Sequence, residues 1–174
     1  GRSWTKYEGN PVIKNYGIAD FRDPKVFWHE KTKKWVMVVA CADRVRFYNS
    51  PDLKEWTYLS EFGQEIGIHA DTWECPDLIK LPVENSKPVE ASDLNGSDSE
   101  KQKKWLLEVG DIQGGQSGVA VQYFIGEFDG EKFISDYDRS FLVDQGQDIY
   151  ALQSWSNLPD HRQIWLGWMN NIGY

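Results

Sequence analysis

KVFWHEKTKKWVMVVA, residues 25–40, contains two apolar runs, Lys25 to Trp28 and Trp35 to Ala40, joined by the polar loop His29 to Lys34. Runs this short, rich in Val and aromatic residues and bounded by polar turns, read as strands of a hairpin. Two more runs follow, Val45 to Asn49 and Trp56 to Ser60, separated by Asn49-Ser50-Pro51-Asp52, in which Pro presets φ for a turn. No window of the chain sustains a capped helical period. The first third of the sequence therefore predicts a four-stranded antiparallel meander.

The same order of features then recurs. Asp23-Pro24 leads to Lys33-Lys34-Trp35, and Cys75-Pro76 leads to Lys103-Lys104-Trp105. The second copy continues through Trp105 to Val109, Val119 to Glu127 and Phe133, with Asp129-Gly130 as a tight turn. A third begins near Asp148-Ile149-Tyr150-Ala151 and runs through Ile164 to Met169. Four short strands repeated at roughly 40–50 residues mark propeller blades, so the expected fold is an all-β propeller; a β-sandwich is the alternative. Residues 84–104 are polar and read as an insertion loop within a single partial domain spanning 1–174. About three blades do not close a ring, so a fragment is expected, its first 20 residues being the tail of an earlier blade.

Composition narrows the function. Against 19 basic residues stand 27 acidic ones, a formal net charge of -8, which argues against a nucleic-acid footprint or a polybasic membrane surface. No apolar run approaches the roughly 20 residues of a membrane span. Aromatic residues make up 14% of the chain, enough to fill an all-β core and to stack on sugar rings. Cys41 and Cys75 are the only cysteines, and their spacing to His29, His69 or His161 supports no zinc site. Neither metal nor cofactor is expected.

Two carboxylates stand in consecutive copies, Asp23 in Phe21-Arg22-Asp23-Pro24 and Glu74 in Trp73-Glu74-Cys75-Pro76. Both could project from strand starts into one cavity, the arrangement that sugar chemistry uses. Trp73 and Cys75 are poorly solvating neighbours that would favour a neutral Glu74 and suit it as a general acid. Arg22 could hold Asp23 ionised, and Pro24 biases the Asp23 backbone towards the extended region. Read singly, each could be no more than an exposed strand-start acid or an Asp-Pro turn.

Taken together, Phe-Arg-Asp-Pro and Trp-Glu-Cys-Pro-Asp in successive strand repeats resemble the invertase, levanase and exo-inulinase group, glycoside hydrolase family 32. The resemblance extends to Gln122-Tyr123-Phe124-Ile125-Gly126-Glu127-Phe128-Asp129-Gly130, to Asp144-Gln145-Gly146-Gln147-Asp148-Ile149-Tyr150-Ala151, and to Gly167-Trp168-Met169-Asn170-Asn171. It implies a five-bladed propeller with a central active site, no cofactor, and retaining cleavage of β-fructofuranosyl bonds in sucrose or fructans. It also implies Glu74 as acid/base and Asp23 as transition-state stabiliser, with Arg22, Asp148 and Tyr150 binding substrate. Fructosyl transfer and a non-catalytic fructan-binding propeller are the alternatives. A secreted or periplasmic location is expected. The family's nucleophile motif, Trp-Met-Asn-Asp-Pro-Asn-Gly, has no counterpart in the sequence, so the chain alone is expected to be inactive.

Overall fold

The structure is a computed structural model that describes residues 2–83, 103–115, 118–159 and 162–169. Most of the 84–104 insertion lies outside the described residues, as do Asn170, Asn171 and Ile172. Strands β1 (Phe21–His29), β2 (Lys34–Cys41), β3 (Arg44–Ser50) and β4 (Thr57–Phe62) pair in sequence order as an antiparallel meander. A second sheet has the order β5 (Trp73–Pro82), β6 (Lys103–Gly115), β7 (Gly118–Phe128), β8 (Phe133–Ser135), and the short β9 (Phe141–Leu142) also pairs with β7. In the third sheet β10 (Tyr150–Ser154) pairs with β11 (Trp165–Trp168).

Sequence and structure differ at four places. β1 begins at Phe21, so the Arg-Asp-Pro motif lies inside the strand rather than ahead of it. Lys103 and Lys104 belong to β6 and pair with Pro82 and Leu81, which trims the expected insertion. β6 also runs on to Gly115 through Gly110, Asp111 and Gly114, residues that look like a loop until they meet a partner strand. Residues 2–20 hold no strand; instead of a blade tail they form an irregular arm, from which Ile13 packs on Met37, Val39 and Tyr48.

Burial explains the strand patterns. β2 is apolar at nearly every position because both its faces are covered: Val36 and Val38 face the second sheet, whereas Met37 and Val39 face the opposite way. The main core lies between the first two sheets, where Phe47, Trp73, Leu107, Val109, Phe124 and Phe133 are fully or almost fully buried. A smaller cluster of Val119, Val121, Tyr150 and Leu152 joins the second sheet to the third. Three sheets thus pack side by side, with β1, β5 and β10 as their first strands.

These first strands share one irregularity. From Arg22 to Lys25 the chain takes three steps along β1 while β2 takes two, from Ala40 to Val38. The same slip separates Glu74 from Asp77 opposite Gly110 and Glu108, and Tyr150 from Gln153 opposite Trp168 and Leu166. Each is a bulge with one extra residue. The residue after the slip begins has positive φ in every case: Asp23 at 59°, Cys75 at 50° and Ala151 at 53°. The extended backbone expected for Asp23 is therefore absent. Pairing on both sides of the bulge imposes a left-handed turn that the proline alone would oppose.

Candidate active site

The repeated bulges bring equivalent residues of three sheets to one point. Arg22 of β1 donates from Nε and Nη2 to Oε1 of Glu74 on β5, at 3.0 and 2.8 Å. Tyr150 of β10 donates its hydroxyl to Oε2 of the same carboxylate at 2.9 Å. Each of these side chains is the last ladder-paired residue before its bulge. Glu74 is thus gripped on both oxygens while its side chain remains 17% exposed, open enough to meet a ligand.

Charge in this group is shared. Arg22 also forms an ion pair with Asp20 through Nη1, and this bond to Asp20, with the help of Glu74, raises the guanidinium further above its already high pKa against the cost of burial. Burial and donation to Glu74 push the Tyr150 phenol well above its ordinary range, so it stays a donor. Trp73 does not shield Glu74 as its sequence position suggests. Its indole turns into the core, stacks on His69 and donates to the Ile68 carbonyl at 2.7 Å. The groups against the Glu74 carboxylate are Arg22 and Tyr150.

Asp23 occupies the extra position of the first bulge, directly beside this group. Its Oδ2 accepts from the backbone N–H of Cys75 at 3.0 Å, so the two bulges are hydrogen-bonded to each other. The Cys75 thiol lies 3.7 Å from the same oxygen, and burial together with the neighbouring acids pushes its pKa up to about 12. It is a neutral thiol at any physiological pH. Asp148 is exposed, two residues before Tyr150.

The rim of the site is held from the second sheet. Asp111, fully buried, accepts from the N–H groups of Ala70 and Gln113 at 3.1 and 3.0 Å. Gln122 grips Ile68 at both its N–H and its C=O, at 2.8 and 3.0 Å. Gln113 in turn donates to Asp71 at 2.9 Å. The segment that leads into Glu74 is therefore a fixed wall. Sequence reasoning missed Asp20, Asp111 and Gln122; a signal for Asp20 was available, because Asp20–Thr72, Arg22–Glu74, Asp23–Cys75 and Lys25–Asp77 all sit 52 residues apart. Among the described residues no group of three or more His, Cys, Asp or Glu could hold a metal ion.

Chemically, the arrangement offers a carboxylate able to exchange a proton, a cation and a phenol to orient it, and a second carboxylate one bulge away. Similarity to known proteins places it in context. The model of the glycosyl hydrolases family 32 N-terminal domain matches residues 1–174. A levanase of Bacillus subtilis is 50% identical over 179 residues, covering all of this chain and 24% of that protein. An invertase of Debaryomyces hansenii is 40% identical, covering all of this chain and 30% of that protein. The chain thus spans about a quarter to a third of the length of such relatives. The solved fructofuranosidase of Schwanniomyces occidentalis in complex with fructose superposes with a TM-score of 0.80 at 37% identity, over 96% of this chain and 30% of that one. This likeness identifies the sheets as blades of a five-bladed β-propeller. By sequence along its whole length and by fold, the chain belongs to glycosyl hydrolase family 32.

Proposed function

We propose that the protein carrying this chain hydrolyses β-fructofuranosyl bonds of sucrose or fructans with retention, using Glu74 as acid/base and Asp23 as transition-state stabiliser. The observation that carries this reading is the convergence of Arg22, Glu74 and Tyr150 from three blades beside Asp23. Glu74 protonates the leaving oxygen and later deprotonates water, a double role that suits a carboxyl held on both oxygens and still open to solvent. Asp20 pairs with the Arg22 guanidinium through Nη1 while Glu74 takes Nε and Nη2. Arg22 can therefore let Glu74 take a proton without being left as an unpaired cation.

Asp23 receives the charge that develops on the sugar ring. Its position on a bulge, with one oxygen fixed by the Cys75 N–H, presets it for that role. Arg22 and Tyr150 meet fructosyl hydroxyls as they hold Glu74, and Asp148 contributes from the exposed edge. The nucleophile comes from sequence flanking this chain, in keeping with relatives three to four times its length. Relatives named levanase, exo-inulinase and invertase support the substrate class. Export from the cytoplasm is part of the same reading, supported by a relative named extracellular exo-inulinase.

The test is to incubate the full-length protein with sucrose, inulin and levan and to follow products by NMR. Release of fructose first appearing as the β-anomer is the expected result. Oligosaccharide growth at high sucrose would assign transfer instead, and binding without turnover would assign a fructan-binding propeller.

A further inference from the structure

Below the bulges lies a second polar layer that the chemistry above does not use. Lys25, Asp77 and Gln153 are the first ladder-paired residues after the three bulges. Asp77 is fully buried, and its Oδ2 accepts from the Ser154 N–H at 2.6 Å and from Trp165 Nε1 at 3.2 Å. Lys25 Nζ stands 3.4 Å from both carboxylate oxygens of Asp77 and donates to the Ser154 carbonyl at 2.8 Å. Gln153 reaches back across the gap, donating to the Cys75 carbonyl at 2.9 Å, inside the bulge that follows Glu74. One ion pair thus ties β1, β5 and β10.

Directly across the ladder from Asp77 stands Glu108, fully buried, with no hydrogen bond to either carboxylate oxygen; Asp77 Oδ1 has none either. Two ionised carboxylates on ladder-paired residues in the interior, with one lysine contacting only Asp77 of the two, would leave an unpaired buried charge, the costliest arrangement available. Protonating one acid removes that charge and supplies a donor for an orphan oxygen. Asp77 accepts from Ser154, Trp165 and Lys25, so the proton belongs to Glu108. Burial and the charge of Asp77 push the Glu108 carboxyl well above the usual range, with Lys25 opposing.

We propose that Lys25, Asp77 and a protonated Glu108 form a clasp across three blades that positions the bulges carrying Asp23 and Glu74. Lys25 and Asp77 are positioning residues, two or three places along their strands from those two acids; their effect on turnover rests on the fructosidase reading above. Glu108 leaves the lysine charge wholly to Asp77.

The experiment compares Asp77→Asn, Lys25→Arg and Glu108→Gln in the full-length protein, measuring the melting temperature and, well below it, kcat and KM on whichever fructan the parent cleaves. Glu108→Gln, which mimics a protonated acid, should keep the parent's melting temperature and hold kcat within about twofold, whereas Asp77→Asn should lower kcat about tenfold or more at nearly constant KM. A folded Asp77→Asn variant with the parent's kcat overturns the positioning role. If Asp77→Asn does not fold, Lys25→Arg decides, since it keeps the charge and alters only the reach: a lower kcat at unchanged KM supports the clasp and an unchanged kcat overturns it. Glu108→Gln that melts as early as Asp77→Asn overturns the protonated acid. A parent with no turnover refutes the fructosidase reading and the positioning role together, while the melting comparison still tests the charge states of the clasp.

Discussion

At the residue scale, Asp23 carries two burdens that its neighbours in sequence do not reveal. It sits at φ 59° before a proline, and its carboxylate bonds the backbone of the next blade's bulge. Asp tolerates the left-handed region better than most side chains, so this position suits both the bulge and the chemistry. Asp23→Ala should cost about 3 kcal/mol of transition-state stabilisation, roughly a hundredfold in kcat. Steady-state kinetics of the full-length variant check it, and a pure rise in KM would contradict the role. The candidate acids were legible in the sequence because Arg-Asp-Pro and Trp-Glu-Cys-Pro are compact motifs in successive strand repeats. What surrounds Glu74 was not, because Trp73 points into the core and Tyr150 arrives from 76 residues away.

At the level of elements, the bulge in each first strand is the device that builds the site. Sequence patterning located β2, β3 and β7 well, since Val- and aromatic-rich runs need only local reading. It could not locate the bulges. A slipped ladder is a property of two strands, and positive φ at Cys75 or Ala151 contradicts what either residue prefers alone. Gly110 shows how close the fit is: it pairs opposite Glu74, and a Cβ there would lie 2.7 Å from the Tyr150 ring. Gly110→Ala should therefore push Tyr150 away from Glu74. Tyr150→Phe removes the same hydrogen bond, costing about 1.5–3 kcal/mol in kcat/KM. Combining the two changes should cost little more than the larger alone, which a double-mutant cycle measures. Additive losses would show that Gly110 does not act through Tyr150.

At the scale of the whole molecule, one core joins the first two blades, a smaller cluster joins the second to the third, and a polar axis runs across all three. Phe47 of the first sheet packs on Phe128 of the second with ring centroids 5.2 Å apart, inside a cluster that draws on both. Phe47→Ala should lower stability by about 3–5 kcal/mol, a large share of a typical 5–15. Hydrogen exchange should then speed up in β6 and β7 as well as in β3, because the sheets share that core. Faster exchange confined to the first sheet would show that the blades unfold separately. Along the axis, Arg22, Glu74 and Tyr150 come from three blades, so no single blade could assemble this group. Glu74→Gln in the full-length protein tests that group most directly, by assaying fructose release from sucrose and fructans together with binding of fructose. The expected result is kcat lower by about 10²–10⁴-fold with fructose binding retained, and turnover close to that of the parent would contradict the role assigned to Glu74.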